Sequence, residues 1–316
     1  MQQPIIRPMQ QADLTAADRV YRIAFGTRFR LPDPSQFRGD AQAVRTRWAT
    51  DASTAFVAEL DDTVVGGACA MDWGSVLIVG PIFVHPDQSG RGIARLLVQK
   101  MVELADTRAT KLAALFTFPE SATHLRLYES FGFTSQALTP VMSKAPDASR
   151  GGTGALGAGT LFSTLAPAER AAALRQCGRI TDAILPGLNL AREIEAVASM
   201  KLGDTILLGR ADGIRGLAIC HFGAGSEGGS GALFVKFAAV RPHADQDFAA
   251  LLDSCEGLAC AVGAARIEAG TNAARSGAYG IMRGRGFRAG LVGVAMHRPQ
   301  GPGYNRPDVF AIDDWR

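Results

Sequence analysis

The chain has 316 residues, 47% of them hydrophobic and 20% charged. That apolar fraction excludes wholesale disorder, and at ~100–200 residues per domain the length suggests two domains. Thirty-three basic against 30 acidic residues leave a net charge of +3, too balanced to mark a binder of nucleic-acid backbone. Cys69, Cys177, Cys220, Cys255 and Cys260 are odd in number and hold no CxxC pair, which argues against a disulfide framework and against a thiolate zinc site. The histidines are scattered without an HExxH, so no metal is expected. The opening MQQPIIRPM lacks the apolar core of a secretory signal. VLIVGPIFV, residues 76–84, is about half of the ~20 residues that a spanning helix needs. A cytoplasmic protein with no membrane or nucleic-acid partner is expected.

In chain order, the first half alternates strand and helix signals. Residues 5–9 read as a short extended start. Leu14, Ala17, Tyr21 and Ala24 then recur at helical spacing, with Asp13 and Asp18 in the first turn. A polar, proline-containing stretch (32–40) leads into a short second helix within 39–50. TAFVAELDDTVVGGACAM reads as a hairpin turning at Asp61-Asp62. SVLIVGPIFVHP is a strand, too short and too β-branched for a helix. Pro81 inside it cannot donate to a ladder, so pairing should be interrupted or bulged nearby. GRGIARLLVQKMVELA is a helix with Ile93, Leu96, Leu97, Met101 and Leu104 on one face. TKLAALFTF is a strand, ATHLRLYESFGF a helix ending at Gly132, and FTSQALTPVMSK one or two closing strands.

Residues 144–159, KAPDASRGGTGALGAG, have the composition of a flexible linker. The second half then repeats the plan. A strand (159–165) and two helical stretches (167–185, 190–201) precede a hairpin turning at Asp212-Gly213. Strand, helix, strand, helix and strand follow through residue 298. Landmarks recur at nearly constant offsets: Asp62 and Asp212 by 150, Val84-His-Pro86 and Val240-Arg-Pro242 by 156, and Gly132-Phe133 and Gly286-Phe287 by 154. Such constancy suggests an internal duplication. Domains are expected at 1–144 and 159–316, joined by a linker over 145–158.

The segment richest in chemistry is VGPIFVHPDQSGRGIARLL, residues 79–97. A strand enters the tight loop Ser89-Gly90-Arg91-Gly92 and passes straight into an amphipathic helix. A helix start offers about four unpaired N–H groups and a partial positive charge, and glycines let backbone approach a ligand. Together these suit a pyrophosphate. The plainer reading is that the glycines only shape a turn. A dinucleotide fingerprint does not fit, because Gly90 and Gly92 are followed by Arg95 rather than a third glycine, and GK[ST] is absent.

The pattern resembles the GNAT superfamily of acetyl-CoA-dependent N-acyltransferases. That family's signature, [QR]xxGx[GA] after a strand ending V-x-P, corresponds here to Ser89-Gly90-Arg91-Gly92-Ile93-Ala94, with Ser89 in place of the usual Arg or Gln. Leu127-Tyr128-Glu129-Ser130-Phe131-Gly132-Phe133 matches the family's LYExxGF helix end, and Ser121 replaces its leading Asn. The resemblance covers residues 5–143 and implies an α/β fold with two tandem GNAT-like domains, each a mostly antiparallel twisted mixed sheet flanked by helices. It further implies that acetyl-CoA pairs with free backbone groups of Ile82, Phe83 and Val84. Its pyrophosphate would lie on residues 90–94, with Ser121 and His124 also against the cofactor. A small-molecule or peptide amine would attack the thioester near Phe83, and Tyr128 would protonate the departing thiolate as general acid. Asp72, Glu59, Glu120, His124 and water are open as the base.

In the second half, His243-Ala244-Asp245-Gln246-Asp247 occupies the loop position with no glycine and two carboxylates, which repel a pyrophosphate. The tyrosine position there falls on Met282 or Tyr279, depending on the direction of counting. This half is expected to be a degenerate copy without a cofactor site. The tail could join an acceptor site through Asp313, Asp314 and Trp315, or form a packed last strand with a solvated acidic end. A non-catalytic acyl-CoA sensor or interaction protein is the rival to an enzyme.

Overall fold

The computed structural model describes residues 3–149, 156–209 and 213–316. The middle of the expected linker and Asp212 of the second hairpin turn lie outside the described residues. The chain divides into two compact units, one of Met1–Thr134, Met296–Gln300 and Trp315–Arg316, the other of Ser135–Ala295 and Gly301–Asp314.

The first unit holds β1 (Ile5–Pro8), α1 (Leu14–Arg28), α2 (Ala43–Thr50), β2 (Ala55–Leu60), β3 (Thr63–Trp73), β4 (Val76–Val84), α3 (Ile93–Thr107), β5 (Leu112–Thr117) and α4 (Ala122–Glu129). Strands β1 to β4 pair antiparallel in sequence order, and β5 pairs parallel to β4. Strand alternation separates two cores. Phe56, Ala58 and Leu60 of β2 pack with Leu97 and Met101 of α3, while Ala55 and Val57 pack with Leu14, Ala17 and Val44 of α1 and α2. Each large apolar side chain so buried contributes ~1.5–3 kcal/mol. Leu96, expected on the buried face of α3, is exposed, because the helix presents Ile93, Leu97 and Met101 instead. Glycine at position 67 lets the Phe83 ring cross β3, since a Cβ there would lie 2.6 Å from Phe83 Cζ.

The second unit holds β6 (Thr134–Lys144, from Ser135), β7 (Gly159–Leu161), α5 (Pro167–Ile184), α6 (Ala191–Ser199), β8 (Gly203–Leu208), β9 (Gly216–Gly223), β10 (Gly229–Val240), α7 (Asp245–Ala261), β11 (Arg266–Gly270), α8 (Ser276–Gly284), β12 (Arg288–Arg298, to Ala295) and β13 (Ala311–Ile312). Strands β7 to β10 pair antiparallel in order and β11 pairs parallel to β10, the same plan as β1 to β5. The compact units differ from the boundaries expected from composition. Strand β6 was expected to close the first half, yet from Ser135 it belongs to the second unit. It pairs antiparallel with β11, and Met142 enters the core around α7. Conversely, Met296, near the end of β12, lies in the core beneath α3.

Candidate active site

Strand β4 carries the bulge that Pro81 demands. Ala68 opposes Ile82 while Ala70 opposes Val79, so β4 has one residue more than β3 across that interval. On its other side β4 pairs with β5 only from Val76–Leu112 to Ile78–Ala114, although β4 continues to Val84 and β5 to Thr117. The two parallel strands therefore part toward their carboxyl ends. Parity decides which backbone groups face the parting. His85 N–H bonds Val65 C=O at 2.8 Å, and Phe83 shares its parity, so Phe83 also bonds toward β3. The N–H and C=O groups of Ile82 and Val84 point the other way. Phe83 is thus corrected as a donor of free backbone groups. Its ring is buried on the α1 face against Tyr21. Sequence reasoning also missed Arg47 of α2, a buried guanidinium that donates to Gly80 C=O at 2.7 Å and so holds the bulge. Nothing in the local pattern around residue 47 signals that contact.

Beyond β4, Gly90 and Gly92 adopt φ of +80° and +78°, a region that favours glycine, and Gly92 is the N-cap of α3. Neither would bring a Cβ within 4 Å of another atom, so conformation rather than crowding selects glycine at both. Among the described residues the N–H groups of Gly90, Arg91, Gly92, Ile93, Ala94 and Arg95 donate no hydrogen bond. Leu96 is the first to close the helix, on Gly92 C=O at 3.2 Å. Ser89 is exposed and its N–H bonds Pro86 C=O. A run of unpaired donors at a helix start makes an anion cradle. Arg95 reaches from this turn to Ser130 Oγ at 3.0 Å, tying α3 to the end of α4.

Helix α4 runs to Glu129, and the turn after it closes at Gly132, with φ +82°, where Phe133 N–H returns to Tyr128 C=O at 3.2 Å. Phe133 is buried with its ring centroid 6.2 Å from that of Tyr128. Tyr128 packs on the same apolar cluster as Ile82 and Val84, with Ile93 inside it. The fold thus brings together the strand, the loop and the tyrosine. Burial pushes the Tyr128 phenol up to about 12, so it stays protonated across the neutral range. His124 lies one turn before it and 6.5 Å from the Phe118 ring, while Ser121 is the N-cap of α4. Burial, and then the charge of Arg28, hold the His124 imidazole below its usual pKa, against a smaller upward pull from Glu120.

Three of the four candidate bases are held by arginines. Glu59 accepts from Arg7 at 2.5 and 3.0 Å, and Glu120 from Arg28 at 2.6 Å. Asp72 accepts from Arg108, and it sits opposite Leu77 at the far end of β4. Among the described residues the His124 side chain makes no hydrogen bond or ion pair.

The second unit answers each of these features differently. Its α8 begins 154 residues after α4, which puts Met282, fully buried, at the place of Tyr128 and Ala278 at that of His124. Strand β10 parts from β11 as β4 does from β5, but its own tail fills the parting. Ala238 and Ala239 pair with Ile312 and Ala311, and Val240 N–H bonds Phe310 C=O at 3.2 Å. By the 156-residue offset, Ala238 and Val240 are the counterparts of Ile82 and Val84. At the loop position His243 N–H is taken by Asp308 C=O at 3.0 Å. Of the two irregularities of β10, the one nearer the parting places Lys236 in the bulge, buried between Glu193 at 2.9 Å and Glu227 at 2.7 Å. The acidic end of the tail is buried rather than solvated. Asp313 lies between Arg275 at 2.9 Å and the Tyr304 hydroxyl at 2.8 Å, and burial raises its pKa against the pull of both. Asp314 and Trp315 are buried as well.

Among the described residues no group of three His, Cys, Asp or Glu side chains could hold a metal, and no helix is long and apolar enough to cross a membrane. Residues 18–133 match the family model described as Acetyltransferase (GNAT) family. An uncharacterized N-acetyltransferase of Methanocaldococcus jannaschii is 34% identical over 85 residues, a match that covers 25% of this chain and 38% of that protein. A "putative acetyltransferase" of Pyrococcus horikoshii superposes with a TM-score of 0.69 at 13% identity, covering 100% of this chain and 96% of that one. A GCN5-related N-acetyltransferase of Sphaerobacter thermophilus gives 0.58 at 18% identity, covering 93% and 95%. At these identities the structural likeness establishes the mixed α/β fold.

Proposed function

We propose that this chain, whose residues 18–133 match the acetyltransferase (GNAT) family, moves an acetyl group from acetyl-CoA to a primary amine, on a small molecule or a peptide, at the site built by β4, α3 and α4. The observation that carries the reading is the contrast at the two strand partings. Where the second unit pairs Ala238 and Val240 with its own tail, the first leaves Ile82 and Val84 facing outward beside an anion cradle. An extended acyl-pantetheine has the amides to pair with Ile82 and Val84. The N–H groups of residues 90–95 suit its pyrophosphate. The second unit, with its tail in place and no cradle, takes no cofactor and serves as a degenerate copy.

The amine must be neutral to attack, and an unperturbed alkylamine has a pKa near ~10.4. His124 is the candidate acceptor of that proton, since no arginine hydrogen-bonds it and its lowered pKa keeps the imidazole neutral. The N–H of Ile82 or Val84 stabilises the oxyanion of the tetrahedral intermediate. The carbon–sulfur bond then breaks, Tyr128 donates a hydrogen bond to the departing thiolate, and the thiolate takes up the proton that the attacking nitrogen sheds as it becomes an amide. Release of CoA, followed with a thiol-trapping dye against a panel of primary amines, tests the reading. Amine-dependent release at a steady rate is expected. Tight acetyl-CoA binding with no release for any amine would favour the non-catalytic sensor.

A further inference from the structure

A series of aromatic rings links β4 to the end of β5. Phe83 of β4 meets Tyr21 edge-on at 5.7 Å, and Tyr21 meets Phe37 at 5.6 Å. Phe37 stacks on Phe29 at 5.6 Å with planes 7° apart, and Phe29 meets Phe118 edge-on at 5.8 Å. The chain of rings runs from the carboxyl end of β4 to the residue just beyond β5. There Phe118 neighbours His124. Its faces are not all spent on the core. Phe29 is 38% exposed, whereas Phe37 is half-buried and stacked by both Phe25 and Phe29, and Phe118 is buried.

The charges around the arc cancel. Residues 25–42 and 116–124 contain Arg28, Arg30 and Arg38 against Asp33, Asp40 and Glu120. Glu120 is bonded to Arg28, whose guanidinium lies 3.9 Å from the Phe118 ring centre, and Asp33 is bonded to Ser35. A site for a polycation needs surplus carboxylate, which concentrates such a ligand from solution. This rim has none.

We infer that the acceptor carries its primary amine on an apolar or aromatic body, packed against the exposed Phe29 ring at the outer end of the arc, and is not a polyamine or an aminoglycoside. The inference rests on the transferase reading above. A neutral amine enters such a rim with little desolvation cost, and each aromatic contact adds about two- to tenfold in affinity.

The test uses the full chain saturated with CoA. Binding of 2-phenylethylamine and of spermidine is measured by calorimetry at one ionic strength. 2-Phenylethylamine is expected to bind at least ~10-fold more tightly. Phe29→Ala should weaken it about five- to tenfold, Phe29→Leu by no more than about threefold, and neither should change acetyl-CoA affinity. Spermidine binding as tightly, no binding of 2-phenylethylamine, or indifference to Phe29→Ala would overturn the inference. Turnover is read separately. Selective binding of 2-phenylethylamine without acetylation would sink the transferase reading and leave the acceptor class standing. Acetylation that prefers spermidine would do the reverse.

Discussion

Replacing Tyr128 with phenylalanine is expected to lower kcat about 10²-fold while leaving acetyl-CoA affinity within about twofold. General acid groups contribute ~10²–10⁴ in rate, and the local chemistry places Tyr128 at the lower end. Its phenol is pushed up to about 12 by burial, whereas a free thiol lies near ~8.5. Full proton transfer to a thiolate is therefore uphill, and the hydroxyl helps chiefly as a hydrogen-bond donor to sulfur as negative charge develops. The raised value also has a sign in the pH profile. The wild type should show no fall in kcat from loss of the Tyr128 proton below about pH 11. Phenylalanine keeps the ring, so the contact with Phe133 and the end of α4 persist. Steady-state kinetics from pH 6 to 10, with an unchanged melting temperature as control, checks the result. Full kcat in Tyr128→Phe across that range would remove the residue from the mechanism.

The second large effect concerns the cradle. Gly90→Asp is expected to weaken acetyl-CoA binding about tenfold to a hundredfold. A carboxylate about 6 Å from a pyrophosphate charge costs roughly 1–3 kcal/mol at effective dielectric constants between 20 and 80. Gly90→Asn carries the same shape and the same demand on a left-handed backbone, φ +80°, without the charge. Asn should therefore cost no more than about fivefold, and the difference between the two should shrink as salt is raised. Equal affinities for the Asp and Asn variants would mean that residues 90–95 do not face the phosphates.

Much of this was legible in residue order, because local signals and tertiary demands agree along most of the chain. The proline in β4 foretold the bulge at residues 80–81, the two glycines foretold the left-handed turn, and Gly132 foretold the stop of α4. Strand ownership was not legible. Nothing in TPVMSK says that β6 pairs with β11 rather than with its sequence neighbours, since an apolar strand fits any compatible sheet edge. The parity of Phe83 was hidden for a similar reason. Which backbone edge faces a neighbour depends on register, and the bulge resets that register. The tail misled in the ordinary way. Asp313 and Asp314 look like a solvated end until Arg275, distant in sequence, and Tyr304 of the same tail are brought beside Asp313. Arg47 and the ring arc belong to the same class of feature, contacts made across separate elements with no periodicity to announce them.

The proposed function requires one cofactor site per chain, on the first unit, built on residues 82–95. Calorimetric titration of the full chain with acetyl-CoA tests it most directly. One equivalent bound per chain is expected in the wild type, with binding weakened at least ~10-fold in Gly90→Asp. Two equivalents per chain, or one equivalent whose affinity is untouched by Gly90→Asp, would contradict it.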